Sequence, residues 1–136
     1  MTKDKLAFQH AFSNLFFLML VADNVADIKE LALGKKIVKY EQLDYVTVMN
    51  RVDDLSRVSK KEVFDQSIDL LEALTKKDRL KCLAYMRLIA ISDGSYDERE
   101  KELLDRISTS TINISVKELN LVEKQLRNYI DEIDIG

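Results

Sequence analysis

The stretch Tyr85-Met86-Arg87-Leu88-Ile89-Ala90-Ile91-Ser92-Asp93-Gly94-Ser95-Tyr96-Asp97-Glu98-Arg99-Glu100 decides how this chain is read, because a near copy stands 70 residues earlier. The earlier copy runs Leu15-Phe16-Phe17-Leu18-Met19-Leu20-Val21-Ala22-Asp23-Asn24-Val25-Ala26-Asp27-Ile28-Lys29-Glu30. Superposed without a gap, Asp23 meets Asp93, Asp27 meets Asp97, Glu30 meets Glu100, Leu33 meets Leu103 and Ile37 meets Ile107. Each copy is an apolar run, then D-x-x-x-D-x-x-E, then an amphipathic stretch. The repeat, over about 15–37 and 85–107, predicts two related halves, each opened by a helix–acidic corner–helix unit.

Outside the repeat the signals are also helical. The chain has no proline, and its only glycines are Gly34, Gly94 and Gly136, so tight turns between strands are hard to place. Capping boxes, in which a side-chain oxygen and a residue three positions on serve each other's backbone donors, stand at Asp27/Glu30, Ser59/Glu62, Thr75/Asp78, Asp97/Glu100 and Ser115/Glu118. Apolar residues between these marks recur at steps of three and four, as in Phe8, Phe12, Leu15 and Met19. An all-α domain follows, a single unit over 1–136, with seven helices near 4–22, 27–40, 44–57, 59–74, 75–92, 97–108 and 115–131. Val46-Thr47-Val48 has strand propensity, but the wider spacing of Tyr45, Met49, Val52 and Leu55 favours a helix. Tyr40–Leu43 and Ser108–Asn113 read as surface connections, the second too polar and branched to continue a helix.

Composition excludes several classes of function. Net charge is −3 and no stretch concentrates lysine and arginine into a large patch, so binding to a nucleic-acid backbone is not expected. Cys82 is the only cysteine, which removes a disulfide framework and a thiolate metal cluster within one chain and leaves a small core residue. His10, the only histidine, lacks a positioned partner and reads as a helix-surface or partly buried residue. Phe8, Phe12, Phe16 and Phe17 read as core, and no glycine-rich phosphate loop exists. The run Leu15–Ala22 after Lys3 and Lys5 imitates a signal-peptide core. It is short of the roughly 18 residues of a membrane span, and it recurs internally at Tyr85–Ser92. The expectation is therefore a cytoplasmic protein without direct membrane insertion.

The corners carry the chemistry. Asp97 and Glu100 suit a helix start, where the dipole and free N–H groups favour negative charge. Asp93 stands at a helix end, where the dipole disfavours a carboxylate by a few tenths to about 1 kcal/mol, and so calls for compensation. One solution is an Asx-turn onto the corner backbone. The other is convergence of Asp93, Asp97 and Glu100 on a hard divalent cation, with calcium, magnesium or manganese better matched than zinc to oxygen ligands. The spacing is not that of an EF-hand. Asp23, Asp27 and Glu30 form the equivalent set, with fewer side-chain oxygens between them because Val25 and Ala26 replace Ser95 and Tyr96. Arg87, in the place of Phe17, reads either as a rim residue or as the partner of an acidic corner in the other half.

At these residues the chain resembles the TerB-like (tellurite resistance TerB) family. The segment Leu88 to Glu100 looks like that family's A-x-A-D-G-x-x-x-x-x-E type corner, with related segments at Val21-Ala22-Asp23 and Ile114–Leu119. Ser92 stands for the usual alanine and Asn24 for the first glycine. The resemblance implies a compact helical domain of two similar halves, metal ligation by Asp93, Asp97, Glu100, Asp23, Asp27 and Glu30, and a link to bacterial stress and tellurite resistance, often as a module of larger systems. Three functional readings follow. The first is a non-enzymatic, cation-binding stress-response module. The second is an adaptor for other proteins whose acidic corners are only helix caps. The third, an acid–base hydrolase, needs a carboxyl held in apolar surroundings, whereas the corners are expected to be solvent-exposed.

Overall fold

Two stretches of the sequence are apolar all round rather than striped, and they become the two central helices. In the computed structural model, which describes residues 2–22, 28–91, 98–110 and 115–134, every residue from Ala11 to Leu20 is buried, and so are Cys82 to Met86 and Leu88 to Ala90. A helix apolar on every side must be enclosed on every side, and the remaining helices do the enclosing. The described residues form seven helices: α1 (Lys3–Ala22), α2 (Ile28–Tyr40), α3 (Tyr45–Leu55), α4 (Lys60–Glu72), α5 (Lys76–Ala90), α6 (Glu98–Ser110) and α7 (Val116–Asp134). The all-α expectation and the count of helices both hold.

Helices α1 and α5 pack against each other through aromatic rings. Tyr85 of α5 meets Phe8 and Phe12 of α1 edge-on, with centroids 6.5 and 6.3 Å apart. Helices α3 and α4 cover α1, and α7 covers α5. Helix α2 reaches over to α5 and α7, while α6 packs on both α5 and α1. Phe12, Leu15, Phe16 and Met19 are fully buried, each contributing about 1.5–3 kcal/mol.

The sequence marks three of the helix starts correctly down to the atom. Ser59 Oγ accepts from the Glu62 N–H at 3.2 Å, Thr75 Oγ1 from the Asp78 N–H at 3.2 Å, and Ser115 Oγ from the Glu118 N–H at 3.1 Å. Helix α3 forms despite Val46-Thr47-Val48, started by Asp44, whose carboxylate accepts from the Val46 N–H at 3.2 Å and the Thr47 hydroxyl at 2.8 Å. Arg79 closes the end of α4 by donating to the carbonyls of Leu71, Glu72 and Leu74.

Three expectations need correction. Helix α6 does not stop at residue 108 but continues to Ser110; Thr109 is accommodated because its hydroxyl donates to the carbonyls of Asp105 and Arg106 at 3.0 and 3.1 Å. The 40–43 connection is not simply surface, since Glu41 and Leu43 are buried. It is a Schellman turn: Leu43 N–H donates to Val38 O at 2.9 Å and Gln42 N–H to Lys39 O at 3.2 Å, with Gln42 left-handed at φ 57°. Finally, α1 is a 20-residue helix, long and apolar enough by length and composition to cross a membrane, although 67% of its apolar window is buried inside the fold. The uninterrupted run Leu15–Ala22 understates it because Phe8, Ala11 and Phe12 extend the same apolar helix toward the N-terminus.

Candidate functional site

The repeated corners lie between α1 and α2 and between α5 and α6. Asp23, Asp27, Asp93 and Asp97, four of the six expected ligands, fall outside the described residues. Glu30 and Glu100 are described, and both are 1% exposed. That reverses the expectation of solvent-exposed corners for these two side chains. The reversal has a physical reason. Glu30 and Glu100 lie in the first turns of α2 and α6, and each lies four residues before a position buried in the core, Gly34 and Leu104. A residue one helical turn ahead of a core position shares its inward face.

Equivalence between the copies is visible in burial as well as in sequence. Glu30 and Glu100 are buried, Leu33 and Leu103 half-buried, Gly34 and Leu104 buried, Ile37 and Ile107 buried. Phe16 in α1 lies over Gly34, and the repeat-equivalent positions in the second half are Met86 and Leu104, both buried. A carboxylate taken out of water requires opposite charge or several hydrogen bonds. A helix N-terminus or a bound cation can each supply them. Among the described residues, no three histidine, cysteine, aspartate or glutamate side chains come together in a metal-holding group.

Among the described residues, Arg87 is engaged by α7. Its Nε pairs with Glu123 Oε2 at 3.2 Å and its Nη1 donates to Asn120 Oδ1 at 2.7 Å, both on α7. These contacts fit the rim reading of Arg87, while the corner aspartates it was alternatively expected to meet lie outside the described residues. Of the remaining single residues, Cys82 is fully buried and burial pushes its thiol well above the usual range. His10 is half-buried, and desolvation followed by the nearby Arg51 charge lowers its pKa. Neither is poised as a nucleophile or base.

Two constellations escape the sequence reading. The first is a buried polar knot where α2 ends on α5. Glu41, 6% exposed, accepts from Lys81 Nζ at 2.8 Å and from the Tyr85 hydroxyl, while Lys5 Nζ donates to its backbone carbonyl. No local pattern announces it, because its members lie 36 to 44 residues apart. The second is a cleft of about 470 Å³ lined by Ala22 of α1, Lys60 and Lys61 of α4, and Arg99 and Arg106 of α6. Lys60-Lys61 is visible in the sequence, but only folding adds Arg99 and Arg106 to it.

A pair of central apolar helices, each leading through a repeated acidic corner into an amphipathic helix, defines an all-helical domain of two related halves. The chain belongs to the TerB family: the family model described as "Tellurite resistance protein TerB" matches residues 9–124, which include both corners. No curated protein and no solved structure matches it.

Proposed function

We propose that this chain is a non-enzymatic, cytoplasmic TerB-like module that binds a hard divalent cation (calcium, magnesium or manganese) at its acidic corners and works with other proteins in a bacterial stress response such as tellurite resistance. The observation carrying this reading is the matched burial of Glu30 and Glu100, 1% exposed in each half. An ordinary first-turn glutamate is solvated; two repeat-equivalent ones drawn inside give each corner a carboxylate in low dielectric, where attraction to a cation is strongest. The ligand sets are Asp93, Asp97 and Glu100 in the second corner and Asp23, Asp27 and Glu30 in the first.

The second reading is an adaptor whose corners only cap helices. It is favoured by Ser115 and Glu118, where this same chain uses a first-turn glutamate as a capping partner, the serine hydroxyl 3.1 Å from its carboxylate. Thermal unfolding of metal-stripped protein, titrated separately with calcium, magnesium, manganese and zinc, separates the two. An ion at 100 times its dissociation constant adds about 2.7 kcal/mol. A rise in midpoint with one hard cation, lost in the Asp93→Asn/Asp97→Asn variant, supports the cation module. No rise with any ion, together with a plain loss of stability in the variant, sinks it in favour of the adaptor.

A further inference from the structure

We infer that the cleft between α1, α4 and α6 is a binding site for an amphipathic organic anion, one with a phosphate or carboxylate head and an apolar chain. The head end is the 470 Å³ cleft, whose described lining carries Lys60, Lys61, Arg99 and Arg106 beside the carboxylates of Asp65 and Glu102. Lys60 and Lys61 are the first two residues of α4, whose dipole adds to the positive field. Both lysines are exposed, and no ion pair engages them among the described residues. Arg106 is held in place by the Phe64 ring, 4.6 Å from its guanidinium carbon.

The tail end is a second cavity of about 520 Å³ that adjoins the first, sharing Val21 and Lys60 with it. Phe17 and Leu20 of α1 and Met49 and Val52 of α3 line it together with Asp53 and Ser56. Each cavity has the size of a small-molecule site. The first cavity's described lining carries six charged side chains and the second only Lys60 and Asp53, a gradient of charge that matches a head-and-tail molecule. An acidic amphipathic helix would instead ask for cations along the whole groove.

The inference stands independently of the cation proposal, so the titration is run in a chelator. Isothermal titration with hexyl, octyl and decyl phosphate, each below its micelle concentration, reads the tail; inorganic phosphate and decanol read each end alone. Affinity is expected to rise with chain length, up to about fourfold per methylene, and to exceed that of inorganic phosphate and of decanol at least tenfold. The exposed-site variant Lys60→Gln/Lys61→Gln, with unchanged circular dichroism, is expected to weaken decyl phosphate at least tenfold, and Met49→Gln to flatten the chain-length dependence. Flotation with phosphatidylcholine vesicles, with and without phosphatidylglycerol, distinguishes the source. Lysine-dependent flotation with the anionic vesicles alone assigns the head to a membrane lipid, and binding of decyl phosphate without flotation assigns a free amphiphile. Affinity independent of chain length, or undiminished in the double lysine variant, overturns the proposal.

Discussion

Replacing Gly34 by alanine sets two well-characterised effects against each other, and the structure decides the sign. In mid-helix, alanine is favoured over glycine by about 0.8–1 kcal/mol, so helix propensity alone predicts stabilisation of α2. The position is not open, however. A Cβ there would meet the tip of the Phe16 ring at Cζ and would lie 2.7 Å from Cε1 and 3.0 Å from Cε2. Phe16 has nowhere to go: it is fully buried and stacked on Phe12, centroids 5.7 Å apart. Overpacking of this kind costs about 1–3 kcal/mol, occasionally more, and three simultaneous close contacts place it at the upper end. The expected net effect is a loss of about 1–2 kcal/mol, a midpoint lower by about 3–7 °C for a chain of this length. Calorimetry or a urea titration on Gly34→Ala measures it. The mechanism is isolated by the Phe16→Leu background, in which the same alanine loses its obstacle and should become stabilising by the propensity difference, a coupling of about 2–3 kcal/mol in the double-mutant cycle. If Gly34→Ala stabilises the protein with Phe16 intact, or if the cycle shows no coupling, the packing argument is wrong.

Other perturbations have equally definite outcomes. Gln42→Gly relieves a left-handed residue at φ 57° in the α2–α3 turn and should raise stability by about 0.5–1 kcal/mol, read as a higher urea midpoint at unchanged slope. Tyr85 has its hydroxyl pKa raised above 10.0 by burial, then by its hydrogen bond to Glu41 and by that carboxylate's charge. The unfolded tyrosine therefore loses its proton first, so this contribution is fully present below about pH 10 and is lost as pH rises above it, by about 1.4 kcal/mol per unit. Urea midpoints between pH 9 and 11 should fall less steeply in Tyr85→Phe than in the parent, and parallel curves would refute the assignment. Arg87→Met removes the partly exposed pair to Glu123, leaving that carboxylate to Arg127 at 3.0 Å. About 1 kcal/mol should be lost in thermal unfolding.

What the sequence determined by itself was everything carried by short-range chemistry. Spacing of apolar residues and the caps at Ser59, Thr75 and Ser115 depend on neighbours three or four positions away, so the seven helices and these starts were legible directly. The 70-residue repeat likewise exposed the two halves and pointed to Glu30 and Glu100 before any packing was known. Local chemistry misled where a side chain could repair its own backbone, as Thr109 does in the last turn of α6. Burial was decided only by tertiary structure, because whether a first-turn glutamate is wet depends on what the next helical turn packs against. The same holds for partner choice. Arg87 found Glu123, Glu41 found Lys81 and Tyr85, and Lys60 came to share a cleft with Arg99 and Arg106, pairings 36 to 46 residues apart in the chain. Such contacts leave no periodic trace, since the chain between them is free to differ while the packing of whole helices, α7 on α5 above all, brings their ends together.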